Sequence, residues 1–297
     1  MLSLHTNAAA LSAQNSISRT QSSLSTSMTR LSTGFRINSA MDDAAGLQIA
    51  TRLKTQTSGM GVAMRNTQNS ISLMQTAEGA LDETSNILNR MKDLATQAAD
   101  GSSTAADQTA MQKEFDSLTD ELSNIFTNTK FGGTSLLNSA GGKMTAAITF
   151  QIGASSGETL SADFTAELGT TGAGTGAAGK IKLAAAGFTD AGAGAAAGTE
   201  LTAAGAANLS IDKLATAIDA VGALRSKLGA VSNRLDHVYN NLSNISTNTK
   251  NATGRIMDVD FASESAQMTS SQMLLQAGTA MLKQSNSQSS LVLSLLQ

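Results

Sequence analysis

The sequence predicts a mainly α protein, in which N- and C-terminal arms form a long antiparallel helical coiled coil or bundle around a small central β-region. Three observations carry this reading. The 297 residues contain no proline, where average usage would place roughly fifteen, so long helices can run without interruption. Large apolar residues recur at sevens in both halves of the chain, the spacing of coiled-coil seams. Between the halves the apolar period changes to two, the mark of a half-buried strand.

Along the N-terminal arm, Leu4 and Leu11, then Ile17, Leu24 and Leu31, follow sevens with a one-residue slip, and Met28 sits between the last two. Ser39 and Asp42 resemble a capping box, which satisfies the unpaired N–H groups at a helix start. The helix that follows carries Met74, Ala77, Leu81, Leu88, Met91 and Leu94. Asp100-Gly101-Ser102-Ser103 breaks the pattern, and a third helix spaces Met111, Phe115, Leu118, Leu122 and Ile125 as a coiled-coil seam. Ala146, Ile148, Phe150 and Ile152 then alternate with Thr145, Ala147, Thr149 and Gln151 as a strand. Gly153 to Gly157 reads as a turn, and Thr159 to Leu168 is the candidate for a returning strand. The C-terminal arm keeps a strict heptad in Leu214, Val221, Leu228, Leu235 and Leu242, beside Leu224, Val231, Val238 and Ile245, for a helix of roughly forty residues. A last helix places Phe261, Met268, Leu275 and Leu282 at sevens and ends in the apolar run Leu291, Val292, Leu293, Leu295 and Leu296.

These elements divide the chain into five segments. Residues 1–42 are a terminal helix with its linker, and 43–152 are the first part of a helical rod with the start of the β-region. Residues 153–207 are a Gly/Ala-rich insertion, 208–256 the second part of the rod, and 257–297 the other terminal helix. Within the insertion, residues 169–207 hold 10 Gly and 15 Ala, too little bulky apolar surface for a substantial core of their own. The insertion therefore reads as reduced and exposed.

Composition excludes several function classes. With no cysteine, disulfides, thiolate catalysis and cysteine-based metal sites are ruled out. The two histidines, His5 and His237, have no partner motif. A net charge of −3 without a basic cluster argues against nucleic-acid binding, which depends on grouped Lys and Arg. The N-terminus has neither a charged region nor a continuous apolar stretch of the secretory type. The least charged segment, Ser265 to Leu282, is interrupted by Ser, Gln and Thr and does not suit a membrane span.

Energetics separate the terminal helices from the rod. Ordering Ser3 to Phe35 costs about 50 kcal/mol at roughly 1.5 per residue. Six large apolar side chains return about 18, and helical hydrogen bonds at about 1 kcal/mol each bring the sum only near zero. Both ends thus need partners, and charge matches them to each other. Residues 1–41 have no acid but carry Arg19, Arg30 and Arg36, whereas residues 258–297 carry Asp258, Asp260 and Glu264 against Lys283. Burial of both stripes against each other and against neighbouring copies points to a subunit whose ends order on polymerisation.

Other motifs carry less. Gly174 to Lys180 has the spacing of a phosphate loop, but Ile181 stands where Ser or Thr would reach magnesium, and no apolar strand leads into it. A nucleotide-binding enzyme is the alternative from another class, and it fails on those two counts. Asp42-Asp43 reads as acids favouring a helix N-terminus rather than a catalytic pair, since adjacent helical positions diverge. Asn241-Leu-Ser and Asn251-Ala-Thr fit a glycosylation pattern but fall in or beside packed helices. The Ser and Thr of 153–207 are better placed for O-linked sugars.

Residues Leu31-Ser-Thr-Gly-Phe-Arg36-Ile-Asn-Ser-Ala-Met41-Asp-Asp-Ala-Ala-Gly46 strongly resemble the N-terminal signature of bacterial flagellins, and Asn69-Ser-Ile-Ser-Leu-Met-Gln-Thr-Ala-Glu-Gly-Ala-Leu81 continues it. The C-terminal arm is similar to the same family at Leu224 to Leu235, at Gln276 to Leu282 and at Val292 to Leu296. The likeness spans about residues 1–153 and 208–297 and is absent from the centre. It implies terminal helices paired antiparallel along the channel of a helical homo-polymer, the bacterial flagellar filament. It also implies a non-enzymatic structural subunit without cofactor or metal, secreted through the flagellar type III apparatus and extracellular in the flagellum. The implied partners are an export chaperone, the filament cap and the hook–filament junction proteins, with no nucleic acid and no membrane. A hook–filament junction protein is the alternative, with weaker agreement expected over Arg36 to Gly46.

The inter-subunit residues implied are Leu4, Leu11, Ile17, Leu24, Met28, Leu31, Phe261, Met268, Leu275, Leu282, Leu291, Leu293, Leu295 and Leu296. Host recognition is implied at two places. Asn89 to Gln97, with Glu114, resembles the segment read by the Toll-like receptor for flagellin, with Arg90, Leu94 and Glu114 matching and Asn89 and Asp93 shorter than the common residues. Val292, Leu293, Leu295 and Leu296 resemble the tail sensed by inflammasome receptors, and Gln297 departs from the common terminal arginine.

Overall fold

The computed structural model describes residues 7–137, 142–168, 198–203 and 205–295. Five long helices dominate: α1 (Ala8–Thr33), α2 (Ala44–Ala98), α3 (Ala105–Asn128), α5 (Ala206–Met257) and α6 (Phe261–Leu295). Between α3 and α5 lie strands β1 (Lys130–Phe131), β2 (Thr134–Ser135), β3 (Ile148–Gln151) and β4 (Thr159–Ala162), a 3-10 turn at Lys143–Thr145, and the short α4 (Thr165–Leu168). The chain forms two compact units, one of Met1–Thr57 with Ser246–Gln297 and one of Ser58–Ile245.

In the second unit one core joins α2, α3, α5 and the strands. Met74, Ala77, Leu81, Leu88, Met91 and Leu94 of α2 are buried there, as are Met111, Phe115 and Leu122 of α3 and Leu214, Val221, Leu228 and Leu235 of α5. The heptads are therefore core seams. Leu118 and Val231 pack at its margin, while Ile245, at the far end of the α5 pattern, is exposed. The α5 helix is 52 residues long, longer than the apolar pattern indicates, because its last turns carry Asn, Ser and Thr in place of a seam.

Helix α3 begins with a full capping box. The Thr104 hydroxyl accepts from the Asp107 N–H, and the Asp107 carboxylate accepts from the Thr104 N–H. Hydrogen bonds from the Thr104 hydroxyl and N–H hold the Asp107 carboxyl below its ordinary range. Ser39 and Asp42, by contrast, do not start α2. The Asp42 carboxylate accepts from the N–H groups of Asn38 and Ser39 and from the Ser39 hydroxyl, closing a turn before the helix. Those three bonds lower the Asp42 pKa, the Ser39 N–H most of all. The N-terminal acid of α2 is Asp43, whose Oδ1 accepts from the Gly46 N–H at 2.8 Å.

The β-region is two separate hairpins. β1 and β2 join through Gly132 and Gly133, with φ of 57° and 82°, the backbone that a two-residue hairpin turn requires and glycine supplies without strain. β3 and β4 pair antiparallel with Ile148 opposite Ala162 and Phe150 opposite Leu160, so the alternation expected from the sequence directs these four side chains into the core. In the intervening turn the Gln151 amide donates to the carbonyls of Gly153 and Ser155. A side chain at Gly153 would overlap Glu158.

Only Thr159–Ala162 of the returning segment is strand. The Asp163 carboxylate then accepts from the Thr165 N–H and hydroxyl and starts α4. Phe164 is fully buried, with Lys227 Nζ 5.8 Å from its ring centre. Among the described residues of the insertion, Leu160, Ala162, Phe164, Leu168, Leu201, Ala206 and Ala207 are buried. The phosphate-loop-like stretch at 174–180 lies outside the described residues.

Candidate functional site

The first unit is built on α1 and α6, and its geometry follows from the sevens and from small residues. The two helices lie antiparallel. Asn7 Nδ2 donates to the Ser285 carbonyl at 3.3 Å at one end, and Arg30 Nη1 lies 3.7 Å from Glu264 Oε2 at the other. Thus one basic residue of the acid-free N-terminal arm meets an acid of the C-terminal arm in a largely covered pair, the two side chains 29% and 13% exposed, which fixes the register of the two helices. Ser27 and Ser271 are buried, and these short side chains allow close approach.

The helices also approach closely at Gly278, where an added Cβ would stand 2.9 Å from Ile17 Cγ1. Alanine there gains about 1 kcal/mol of helix propensity, which offsets part of the clash. Valine adds two further methyl groups against a β-branched neighbour whose χ1 is stiff, and such overpacking costs about 1–3 kcal/mol. Gly278→Val is therefore expected to speed amide exchange in α1 and α6 by roughly tenfold, the factor corresponding to about 1.4 kcal/mol. Unchanged exchange in the valine variant would refute the close crossing.

The linkers tie the same ends. Gly34 closes α1 with φ of 76°, a left-handed conformation natural to glycine at a helix C-terminus. The chain beyond it pairs with the segment after α5: the Arg36 N–H donates to the Met257 carbonyl at 2.6 Å, and the Val259 N–H donates to the Gly34 carbonyl at 3.0 Å. Arg36 Nη2 donates to the Ile256 carbonyl at 2.9 Å. Arg36 of the signature motif is thus a linker fastener rather than part of a charge pair. Ile37 is buried and meets the first turn of α2 at Gly46, where a Cβ would lie 2.9 Å from Ile37 Cδ1.

The residues that the sequence assigns to contacts between subunits divide into two groups. Ile17, Leu24, Leu31, Met268, Leu275 and Leu282 are half-buried in the α1–α6 unit. Leu11, Met28 and Phe261 are 64%, 56% and 56% exposed. Leu4 and Leu296 lie outside the described residues, as do the side chains of Leu291, Val292, Leu293 and Leu295 on the last turns of α6. Sequence spacing missed Met273, Leu274 and Met281, which are 58%, 62% and 69% exposed. The signal for them was present: Met273-Leu274-Leu275 and Met281-Leu282 make α6 apolar on more than one side, and a helix apolar all round is one that is buried all round.

One flank of α1 forms an open groove of about 450 Å³ lined by Gln21, Leu24, Ser25, Met28, Thr29 and Ser32 among others. Burying an apolar side chain of this size is worth about 1.5–3 kcal/mol. Leu11, Met28, Phe261, Met273, Leu274 and Met281 together therefore match the roughly 4–15 kcal/mol that association costs.

In the second unit Arg90 and Glu114 are exposed and paired across α2 and α3. Arg90 Nε and Nη2 donate to Glu114 Oε1 at 2.8 and 2.6 Å. Leu94 is part of the core, 3% exposed. An approaching molecule thus meets the ion pair and not the leucine. Among the described residues no group of His, Asp and Glu is arranged to hold a metal ion, and no helix is long and apolar enough to cross a membrane.

Fold and surface together define a mainly helical protein with paired terminal helices and uncovered apolar side chains along them. Comparison with known proteins gives the class its name. Residues 4–141 match the model of the bacterial flagellin N-terminal helical region, and residues 211–296 match that of the bacterial flagellin C-terminal helical region. The chain belongs to the bacterial flagellin family.

Polar flagellin F of Vibrio parahaemolyticus and flagellin E of Vibrio cholerae are each 52% identical to it over 159 residues. Flagellin A of Vibrio anguillarum is 49% identical over 159 residues. These stretches cover 54% of this chain and 41% of each relative. Among solved structures, Bacillus cereus flagellin is 36% identical, covering 60% of this chain and 88% of its own, with a TM-score of 0.45. A structure from Vibrio parahaemolyticus described as a flagellar hook-associated protein covers 73% of this chain and 100% of its own, with a TM-score of 0.57. At 18% identity that likeness is one of fold alone.

Proposed function

We propose that this chain is a structural, non-enzymatic subunit that polymerises into a bacterial flagellar filament outside the cell. The observation that carries the proposal is the set of exposed apolar side chains on paired terminal helices, Leu11 and Met28 on α1 with Phe261, Met273, Leu274 and Met281 on α6. A lone subunit gains nothing from them, and copies of itself cover them. Membership of the flagellin family supplies the kind of polymer, and the relatives are named as flagellins. On this reading the proline-free rods of the second unit transmit torque. Export is through the flagellar type III apparatus, and the export chaperone, filament cap and hook–filament junction proteins are the partners. Host recognition uses Arg90 and Glu114 as the accessible groups beside buried Leu94, together with the tail Val292, Leu293, Leu295 and Leu296.

Electron microscopy of purified protein after seeding tests the reading. Long filaments are the expected result, whereas short rings would replace it with a hook–filament junction protein. Deleting residues 283–297 is expected to leave a secretable monomer that polymerises poorly, because Leu291 to Leu296 lose their burial. Normal filaments from that variant would remove the terminal helix from the assembly mechanism.

A further inference from the structure

The methionines are sorted between the two units. Among the described residues, the buried ones, Met60, Met74, Met91, Met111 and Met144, all lie in the second unit. The exposed ones, Met28, Met41, Met273 and Met281, all lie in the first. Met41 sits in the linker turn before α2, while Met28 lines the open groove on α1, and Met273 and Met281 lie along α6. With no cysteine in the chain, thioethers are its only sulfur. The softest nucleophiles of the molecule are therefore presented to solvent on the helices that are proposed to assemble.

We propose that Met28, Met273 and Met281 are a reversible oxidation site that controls assembly, with peroxide or hypochlorite as the oxidant. In the peroxide reaction the thioether sulfur attacks one peroxide oxygen. The O–O bond breaks, an S–O bond forms, sulfur loses two electrons, and the second oxygen leaves as water. The product is a sulfoxide, polar where the thioether was apolar.

A sulfoxide on an exposed side chain costs the free subunit little, since it stays hydrated. In an interface its strongly polar S=O must either lose water or keep the partner away. The effect thus falls on association and not on the folded state of the subunit. Met41 is equally open to oxidation but lies off both helices. The filament protects itself once formed, because assembly covers these sulfurs. The sensitive species is the subunit between export and incorporation.

This inference rests on the proposed polymerisation, so the test begins with unoxidised protein, whose failure to extend seeds would count against that reading alone. Full-length subunit is then treated with dilute hydrogen peroxide, and the sites are mapped by peptide mass spectrometry. One added oxygen is expected on each of Met28, Met41, Met273 and Met281, with Met60, Met74, Met91, Met111 and Met144 unmodified. The critical concentration for seeded growth is expected to rise about tenfold or more. Incubation with methionine sulfoxide reductases of both stereospecificities and a dithiol should restore it.

The triple variant Met28→Leu, Met273→Leu, Met281→Leu should show the same critical concentration before and after peroxide, whatever its untreated value, whereas Met41→Leu alone should stay sensitive. Replacing the same three residues by Gln, which brings the polarity without the oxidant, should reproduce the rise. Unoxidised subunit that extends seeds while fully oxidised subunit extends them equally well would overturn the inference and leave the proposed function intact. Peroxide sensitivity that persists in the triple Leu variant would overturn it as well.

Discussion

Phe115→Ala is expected to destabilise the second unit by about 3–5 kcal/mol, the range for truncating a fully buried aromatic side chain. Phe115 has no exposed surface, and it stands in the core with Met91 and Leu94 of α2 and Leu122 of α3. Removing the ring deletes most of its apolar area and leaves a cavity that helices capped at fixed positions cannot close. The Thr104–Asp107 box fixes the start of α3, and the β1–β2 turn at Gly132 and Gly133 follows directly on its end. For a unit of this size each kcal/mol lowers the melting temperature by about 2–4 °C, so thermal unfolding should shift down by on the order of 10 °C. Leu118→Ala, at the margin of the same core, should shift it by clearly less. Equal shifts for the two variants would mean that α3 does not present Phe115 inward.

The helices were legible in the sequence because each buries one face in a seam, and a seam repeats. Leu214, Val221, Leu228 and Leu235 needed no partner identified in advance to be recognised as core. The β3–β4 hairpin was legible for the same reason at period two, from Ile148 and Phe150. Where the physics is not periodic, sequence reading fell short. Ser39 and Asp42 have the right spacing for a cap, yet the carboxylate folds back on its own turn, and the neighbouring Asp43 meets Gly46. Thr159 to Leu168 was a candidate strand, but only its first four residues pair, and Asp163 with Thr165 then starts a helix.

At the candidate assembly surface, half of the reading was available. The sevens identified Ile17, Leu24, Leu31, Met268, Leu275 and Leu282, the inner face of the α1–α6 pair. The outer face, Met273, Leu274 and Met281, was passed over although Leu274 and Met281 are themselves seven apart, because these side chains are exposed rather than packed on α1. Gly278 was invisible too, since a glycine in a helical pattern signals nothing until the residue opposite it is known.

A second large effect is expected from Gln112→Glu. Gln112 and Glu200 are each 4% exposed, and sequence gave no hint of the connection because 88 positions separate them. Gln112 Nε2 donates to Glu200 Oε2 and to Asp116 Oδ1, each at 2.7 Å. Its Oε1 accepts from the Leu201 N–H at 2.7 Å. One amide therefore bridges two carboxylates and fastens the chain where it rejoins the core at Leu201. The Gly198 N–H and the Ser210 hydroxyl complete the clamp, donating to the Glu200 carboxylate and carbonyl.

Leucine at position 112 preserves much of the volume but orphans the Leu201 N–H and strips the Glu200 carboxylate of its side-chain donor, a loss on the order of 3 kcal/mol. Glutamate keeps the shape and an acceptor for Leu201 but offers Glu200 and Asp116 a like charge instead of a donor. Repulsion between unit charges about 4 Å apart reaches roughly 4 kcal/mol at an effective dielectric constant of 20, and it adds to the lost hydrogen bonds. The expected order of stability is wild type, then Gln112→Leu, then Gln112→Glu, read by thermal unfolding. Limited proteolysis should cut both variants faster near residues 198–203. A glutamate variant as stable as the leucine variant would show that water reaches the clamp and screens it, and that the burial of Leu201 alone holds the returning segment in place.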